Sequence, residues 1–276
     1  MRKALLFMLI STASFSLMNA FIKYLEHIPG FQLVFFRSIT SFAFATTYLL
    51  KNRIPILGNQ RKLLSIRAVF GLISMSLFFI SFKYLPIGTA VSLRYIAPIF
   101  AAIFAVFLLK EKLKPIQFLF FLIAFVGVLI LKGFDPNVSN TGMILVISAS
   151  FFTGLVYVFI RKIGQKDHPV VVVNYFMFLA TLVGGIISVF IWAQPKGWDW
   201  VLLASLGVFG YFGQVYMTKA FQAAATNRVA PIKYTEVIFT ILIGVFWFQD
   251  DYSIWSFLGL FLIISALIAN TLVKKG

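Results

Sequence analysis

The chain has 276 residues, 61% of them hydrophobic and 12% charged, and a mean hydropathy of +0.97. Soluble domains carry about 25% charged residues, so this composition excludes a water-soluble globular protein and describes an integral membrane protein. A formal charge of +16 does not point to nucleic acid here, because most of the cations sit in short segments between apolar runs.

A helix crosses a bilayer with about 20 apolar residues. On that measure the chain reads as an all-α membrane protein with ten spans, at about 4–24, 32–50, 66–84, 88–109, 116–132, 142–160, 170–192, 201–222, 229–248 and 254–273. The N-terminus has the basic start and apolar run of a secretory signal. The run continues through Ile22, so it is read as the first span. The long apolar stretch from Ile66 to Leu109 is divided at Tyr84-Leu85-Pro86-Ile87-Gly88, where Pro and Gly mark a turn.

The fourth span organises the rest. It carries Arg94 within apolar sequence, Pro98 four residues on, and Glu111 in the basic cluster at its far end. An equivalent stretch returns 139 residues later, with Lys233-Tyr234 in the place of Arg94-Tyr95 and Asp250 in the place of Glu111. Gly71/Gly210, Phe82/Phe221, Ile99/Ile238 and Phe107/Phe246 match at the same offset.

Loop charges give the orientation. One set of segments holds Arg2, Lys3, Lys51, Arg53, Arg61, Lys62, Arg67, Lys110, Lys112, Lys114, Arg161, Lys162, Lys166, Lys274 and Lys275. The other holds Lys83, Lys132 and Lys196 with Glu26, Asp135, Asp199, Asp250 and Asp251. The positive-inside bias places both termini in the cytoplasm. Five spans per half make the halves, 1–137 and 138–276, enter from opposite sides, which is the inverted-repeat plan of many secondary transporters.

Few polar groups fall inside the spans, and each is a functional candidate because ionisable groups in hydrocarbon are costly. The candidates for substrate binding are Asn19, Arg37, Arg94, Tyr95, Tyr157, Gln214, Tyr216, Lys233, Tyr234 and Glu236. Glu236 stands three residues from Lys233, on the same helical face. Two readings stay open for it: an internal ion pair, or a group that titrates for proton coupling or meets a cargo amine. Arg94 and Lys233 lie near span ends, where snorkelling to headgroups competes with a cavity role. Lys23 and Lys219 favour snorkelling. Gly207, Gly210 and Gly213 form a small-residue stripe for close helix packing. Glu111 and Asp250 are read as loop ties to neighbouring cations. No cysteine is present, His27 and His168 lie in opposite loops, and so no metal site or cofactor is expected.

At these residues the chain resembles the drug/metabolite transporter superfamily in its ten-helix EamA branch. The resemblance rests on Asn19-x-x-x-Lys23, on Phe35-Phe36-Arg37, and on the span from Pro98 to Glu111. The second half departs where many members have Pro-Val and this chain has Glu236-Val237. The segment from Ala230 to Glu236 instead looks like the form seen in S-adenosylmethionine uptake relatives. The resemblance implies a non-enzymatic carrier with two inverted five-helix repeats, a central cavity, and peripheral helices associated with homodimers. The expected function is secondary active transport of a small polar, carboxylate-bearing or zwitterionic metabolite across a bacterial-type inner membrane by alternating access. A carrier for S-adenosylmethionine or nucleoside-like metabolites is the alternative, with a non-transporting membrane assembly protein behind it. The expected partners are the small-molecule substrate, the lipid bilayer and an optional second copy, without nucleic acid. No G-x-x-x-x-G-K-[ST] stretch is present to bind ATP.

Overall fold

A computed structural model describes residues 2–109, 115–134, 139–223 and 235–273. Among them there are eleven α-helices and no strand: α1 (Arg2–Tyr24), α2 (Gly30–Lys51), α3 (Arg61–Ser81), α4 (Ile87–Arg94), α5 (Ala97–Leu109), α6 (Pro115–Phe134), α7 (Asn140–Ile163), α8 (Pro169–Phe190), α9 (Asp199–Ala223), α10 (Thr235–Phe248) and α11 (Ile254–Leu272). Seven segments of the described residues are long and apolar enough to cross a membrane, counting Ile87–Leu108 across α4 and α5 as one. The chain is therefore a multi-pass helical membrane protein.

Local chemistry sets several boundaries. The Ser139 hydroxyl accepts from the Gly142 amide at 3.0 Å at the start of α7, and Ser253 accepts from the Ser256 amide at 3.1 Å at the start of α11. His168 Nδ1 accepts from the Val170 amide at 3.3 Å, with Pro169 in the first turn of α8. Gly164, at φ 58° and ψ −143°, ends α7 in a positive-φ conformation that a side chain disfavours.

Two helices depart from expectation. The third span was expected to begin at Ile66, but α3 begins at Arg61. The Asp167 carboxylate, from the loop after α7, accepts from the backbone amides of Asn59 and Gln60 and from Gln60 Nε2. An anion there satisfies amides at the helix entrance and complements its dipole. The fourth span was expected to be continuous over 88–109, and it is broken. α4 stops at Arg94, the amides of Tyr95 and Ile96 turn back to Ser92 and Leu93 at 3.1 Å, and α5 resumes at Ala97. Pro98 has no N–H to return to the Arg94 carbonyl, so the ladder fails here. Ser150 on α7, whose hydroxyl donates to Val146 O at 2.8 Å, also lies 3.3 Å from both Leu93 O and Arg94 O at the break.

Helix pairing is symmetric under exchange of the two halves of the chain. α1 packs on α9 as α7 packs on α3, and α5 packs on α7 as α10 packs on α1. α2 packs on α8, α4 on α10 and α6 on α11, each pair its own counterpart. The glycine stripe of α9 makes the close approach expected of it. A methyl group at Gly207 would sit 2.2 Å from Thr40 Cβ, and Ser41 Oγ donates to the Gly207 carbonyl at 2.8 Å. At Gly210 the missing side chain leaves room for Arg37, whose Nε would be 3.1 Å from an added Cβ.

Hydrogen bonds fix which loops share a face. Asn59 and Gln60 join Lys166, Asp167 and Ile163 on the face rich in Lys and Arg. On the opposite face Gln32 Nε2 donates to Ala193 O at 2.8 Å, His27 meets Asp199 at 3.0 Å, and the Ile87 amide donates to Asp250 at 3.2 Å. Asp250 thus caps the N-terminus of α4, where a tie to a cation was expected. Burial raises its pKa above the ordinary carboxylate value, and that helical N–H opposes the rise.

Candidate functional site

A cavity of about 70 Å³ lies between the two halves, with walls from α1, α2, α3, α4, α7, α8, α9 and α10. Arg37, Arg67, Arg94 and Glu236 are the ionisable Arg, Lys, Asp and Glu side chains lining it among the described residues. At 1.5 Å rise per residue, Arg37 and Arg94 sit about 10 Å along their helices from the face that carries Ala193 and Asp250. Arg67 sits about 9 Å along α3 from the basic face.

Glu236, in the first turn of α10, is 5% exposed. Its Oε1 accepts from Asn19 Nδ2 at 3.0 Å and its Oε2 accepts from the Tyr95 hydroxyl at 2.7 Å. The carboxylate therefore joins α1, the break after α4, and α10. Hydrogen bonds to a charged acceptor are the stronger kind, and these define its geometry. The expected pairing with Lys233 lies outside the described residues, as do Lys233, Tyr234 and Glu111 themselves.

Arg37 is 2% exposed and surrounded by soft groups. Its Nη1 reaches Met75 Sδ at 2.6 Å and Met177 Sδ at 3.8 Å, and its Nε reaches Met18 Sδ at 3.3 Å. The rings of Phe79 and Phe176 each stand 5.8 Å from its guanidinium carbon. Arg94 lies 4.1 Å over the ring of Phe78 and lines the cavity. That is a cavity position, against the competing snorkelling reading.

Tyr95, Tyr157 and Gln214 line the same cavity, and Asn19 adjoins it through Glu236. Tyr216 does not. It packs between Phe7 and Phe212, at 5.6 and 6.2 Å, and Lys219 lies 5.3 Å over its ring. Two positions apart, Gln214 and Tyr216 stand about half a turn from each other on α9, so sharing a span did not bring them together. Lys23 bonds to Glu26 at 2.8 Å and to the Phe82 carbonyl at 3.0 Å, which ties a helix end.

Arg67 is the residue that sequence reasoning misplaced. Counted there with the loop cations, it is 3% exposed, lies 4.5 Å over the ring of Phe176, and lines the cavity. Ser74 and Thr153 were missed as well; their hydroxyls meet at 2.6 Å across α3 and α7 in the cavity wall. A signal was present, because Arg67, Gly71 and Ser74 recur at helical spacing on one face of α3.

A helical bundle with membrane-length apolar helices and a buried, cation-lined cavity between symmetric halves is a membrane protein of the transporter class. The chain belongs to the EamA-like transporter family, whose model matches residues 2–132 and again 140–272. The pseudopaline exporter CntI of Pseudomonas aeruginosa is 26% identical over 100% of this chain and 98% of its own. An uncharacterized transporter of Helicobacter pylori is 29% identical over 96% of this chain and 94% of its own. Human solute carrier family 35 member G1 is 24% identical over 98% of this chain and 79% of its own. A solved crystal structure covers 96% of both chains with a TM-score of 0.71 at 16% identity, which speaks to the fold alone. Family and relatives point to membrane transport rather than to catalysis.

Proposed function

We propose that the chain is a secondary transporter that moves a small anionic or zwitterionic metabolite through the central cavity by alternating access. The observation that carries this reading is the charge inventory of the cavity. Three arginines face one carboxylate among the described residues, and both oxygens of that carboxylate already accept hydrogen bonds. Cations in a low-dielectric site favour a cargo that brings negative charge. Arg37 and Arg94 take a cargo carboxylate, and Glu236 serves as the amine partner or proton carrier.

The symmetric helix pairing supports two inverted halves, of residues 1–137 and 138–276, that rock about the cavity. A volume of about 70 Å³ is well below the roughly 300–1,000 Å³ of small-molecule pockets. A metabolite therefore enters only when the walls part, as alternating access requires. The loop charges support an inner-membrane protein with both termini in the cytoplasm. One relative is named as an exporter, which makes export the direction to test first.

Proteoliposomes holding the purified protein should show saturable flux of a labelled metabolite, stimulated by unlabelled cargo on the opposite side. Flux that grows without limit with concentration, or that lacks counterflow across a panel of amino acids and carboxylates, would refute a carrier.

A further inference from the structure

Arg67 has no assigned task in that reading, and its surroundings single it out. Its Nε and Nη1 have no hydrogen-bond partner although the residue is 3% exposed. The ion pairs among the described residues, Lys23–Glu26 and His27–Asp199, lie on the opposite face and do not reach it. Gly71, one turn further along α3, keeps the space beside it clear, since an added Cβ there would come within 3.2 Å of Arg67 Nη1. The face of Phe176 supports the guanidinium from one side. A buried guanidinium with orphaned N–H groups is costly, and the guanidinium is the side chain best suited to recognising a carboxylate or phosphate.

Arg67 is also placed apart from the other cations. It enters the cavity from the basic face, whereas Arg37 and Arg94 enter from the other. Arg37 and Arg67 share the Phe176 ring, at 5.8 and 4.5 Å from its centroid, so their separation cannot exceed the sum of those distances. A separation within that bound is one that a single small molecule with two anionic groups can bridge.

We propose that Arg67 is the seat for a second anionic group, so that the cavity selects cargo with two or more carboxylates over cargo with one. This rests on the cavity's being the cargo site, and it adds the substrate class. One carboxylate lies against Arg94 and Arg37, and the other accepts from the Arg67 guanidinium where it lines the cavity. Phe176 lies within reach of both the Arg37 and the Arg67 guanidinium. The reading explains why a third cation stands in a site that a simple zwitterion would fill with one cation and one carboxylate.

The test uses the full chain in lipid nanodiscs and measures binding of citrate and of acetate by calorimetry. Wild type should bind citrate more tightly than acetate by about tenfold or more, the factor that one extra charged hydrogen-bonded pair supplies. Arg67→Met should bring that ratio close to one, and Arg67→Lys, a point charge without the fork, should restore part of it. Arg94→Ala should remove both probes together. A wild-type ratio near one, or a ratio untouched by Arg67→Met, overturns the second seat while leaving the cavity as the cargo site. If neither probe binds wild type, or Arg94→Ala changes neither, the cavity reading itself falls. Met at position 67 replaces an unpaired buried charge, so a folding defect is not expected, and melting curves of each variant will verify this.

Discussion

Replacing Glu236 in two ways separates its hydrogen bonding from its charge. In Glu236→Gln the amide oxygen still accepts from Asn19 Nδ2, and the new NH₂ faces the Tyr95 hydroxyl. A tyrosine hydroxyl both donates and accepts, so it turns about and the contact survives. Asn19 Oδ1, which has no partner, gives the pair a further acceptor. In Glu236→Leu neither Asn19 Nδ2 nor the Tyr95 hydroxyl keeps this acceptor. Interhelical hydrogen bonds in a bilayer average about 0.6 kcal/mol and reach about 1.7, while bonds to a charged group in soluble proteins contribute about 1.5–3. Losing two therefore costs about 1–3 kcal/mol for Leu and only a fraction of that for Gln. Thermal unfolding of the purified variants in one detergent should place Gln near wild type and Leu clearly below it. In proteoliposomes Gln should retain cargo exchange but lose pH-driven net flux, because the group no longer takes up and releases a proton. Equal melting temperatures for Leu and wild type would refute the structural argument. Full pH-driven flux in Gln would refute proton coupling at this residue.

Other perturbations follow from the same geometry. Arg37→Ala and Arg94→Ala should abolish cargo binding in folded, membrane-inserted protein, and lysine should rescue only in part because it lacks the two-donor fork. Cysteines at Asn59 and Gln165 should label only from the cytoplasm and one at Lys196 only from outside; labelling of Asn59 from outside in intact cells would overturn the inverted halves. Gly207→Val places a branched side chain where a single Cβ is already 2.2 Å from Thr40. Separating α2 from α9 should cost about 1–3 kcal/mol or more, read as a lower melting temperature. His168 is held below its ordinary pKa by burial and by Lys219, so the unfolded chain binds its proton more readily. Stability should accordingly fall as pH drops below about 6.5, the unfolded value, and His168→Asn, which caps without titrating, should flatten that dependence in melts from pH 7 to pH 5.

Much of the helical layout was legible because apolar run length is a strong signal and loops in this chain are short. Arg37 and Arg94 stood out for the same reason, as cations inside apolar sequence. What failed was local. Arg67 read as a loop cation because α3 begins five residues before the apolar run, at an entrance whose amides are satisfied by Asp167 from about a hundred positions away. The break after Arg94 was announced by Pro98, yet run length alone treats a broken span and a whole one alike. Tyr216 was grouped with Gln214 by span, where helical phase separates them. The pairing of Glu236 with Asn19 and Tyr95 joins positions 217 and 141 residues distant, which no periodicity encodes.

The methionine shell of Arg37 bears on selectivity. Thioether sulfur is a weak acceptor, so a cargo carboxylate of the proposed kind would replace it at a gain. Methionine is unbranched, with three rotatable bonds, and withdraws readily to fit an irregular neighbour. Met18 and Met75, which line the cavity, would therefore give the proposed site a compliant wall, able to close on compounds of different outline that share an acid group. A broad cargo range, graded by charge more than by shape, would follow from such a wall.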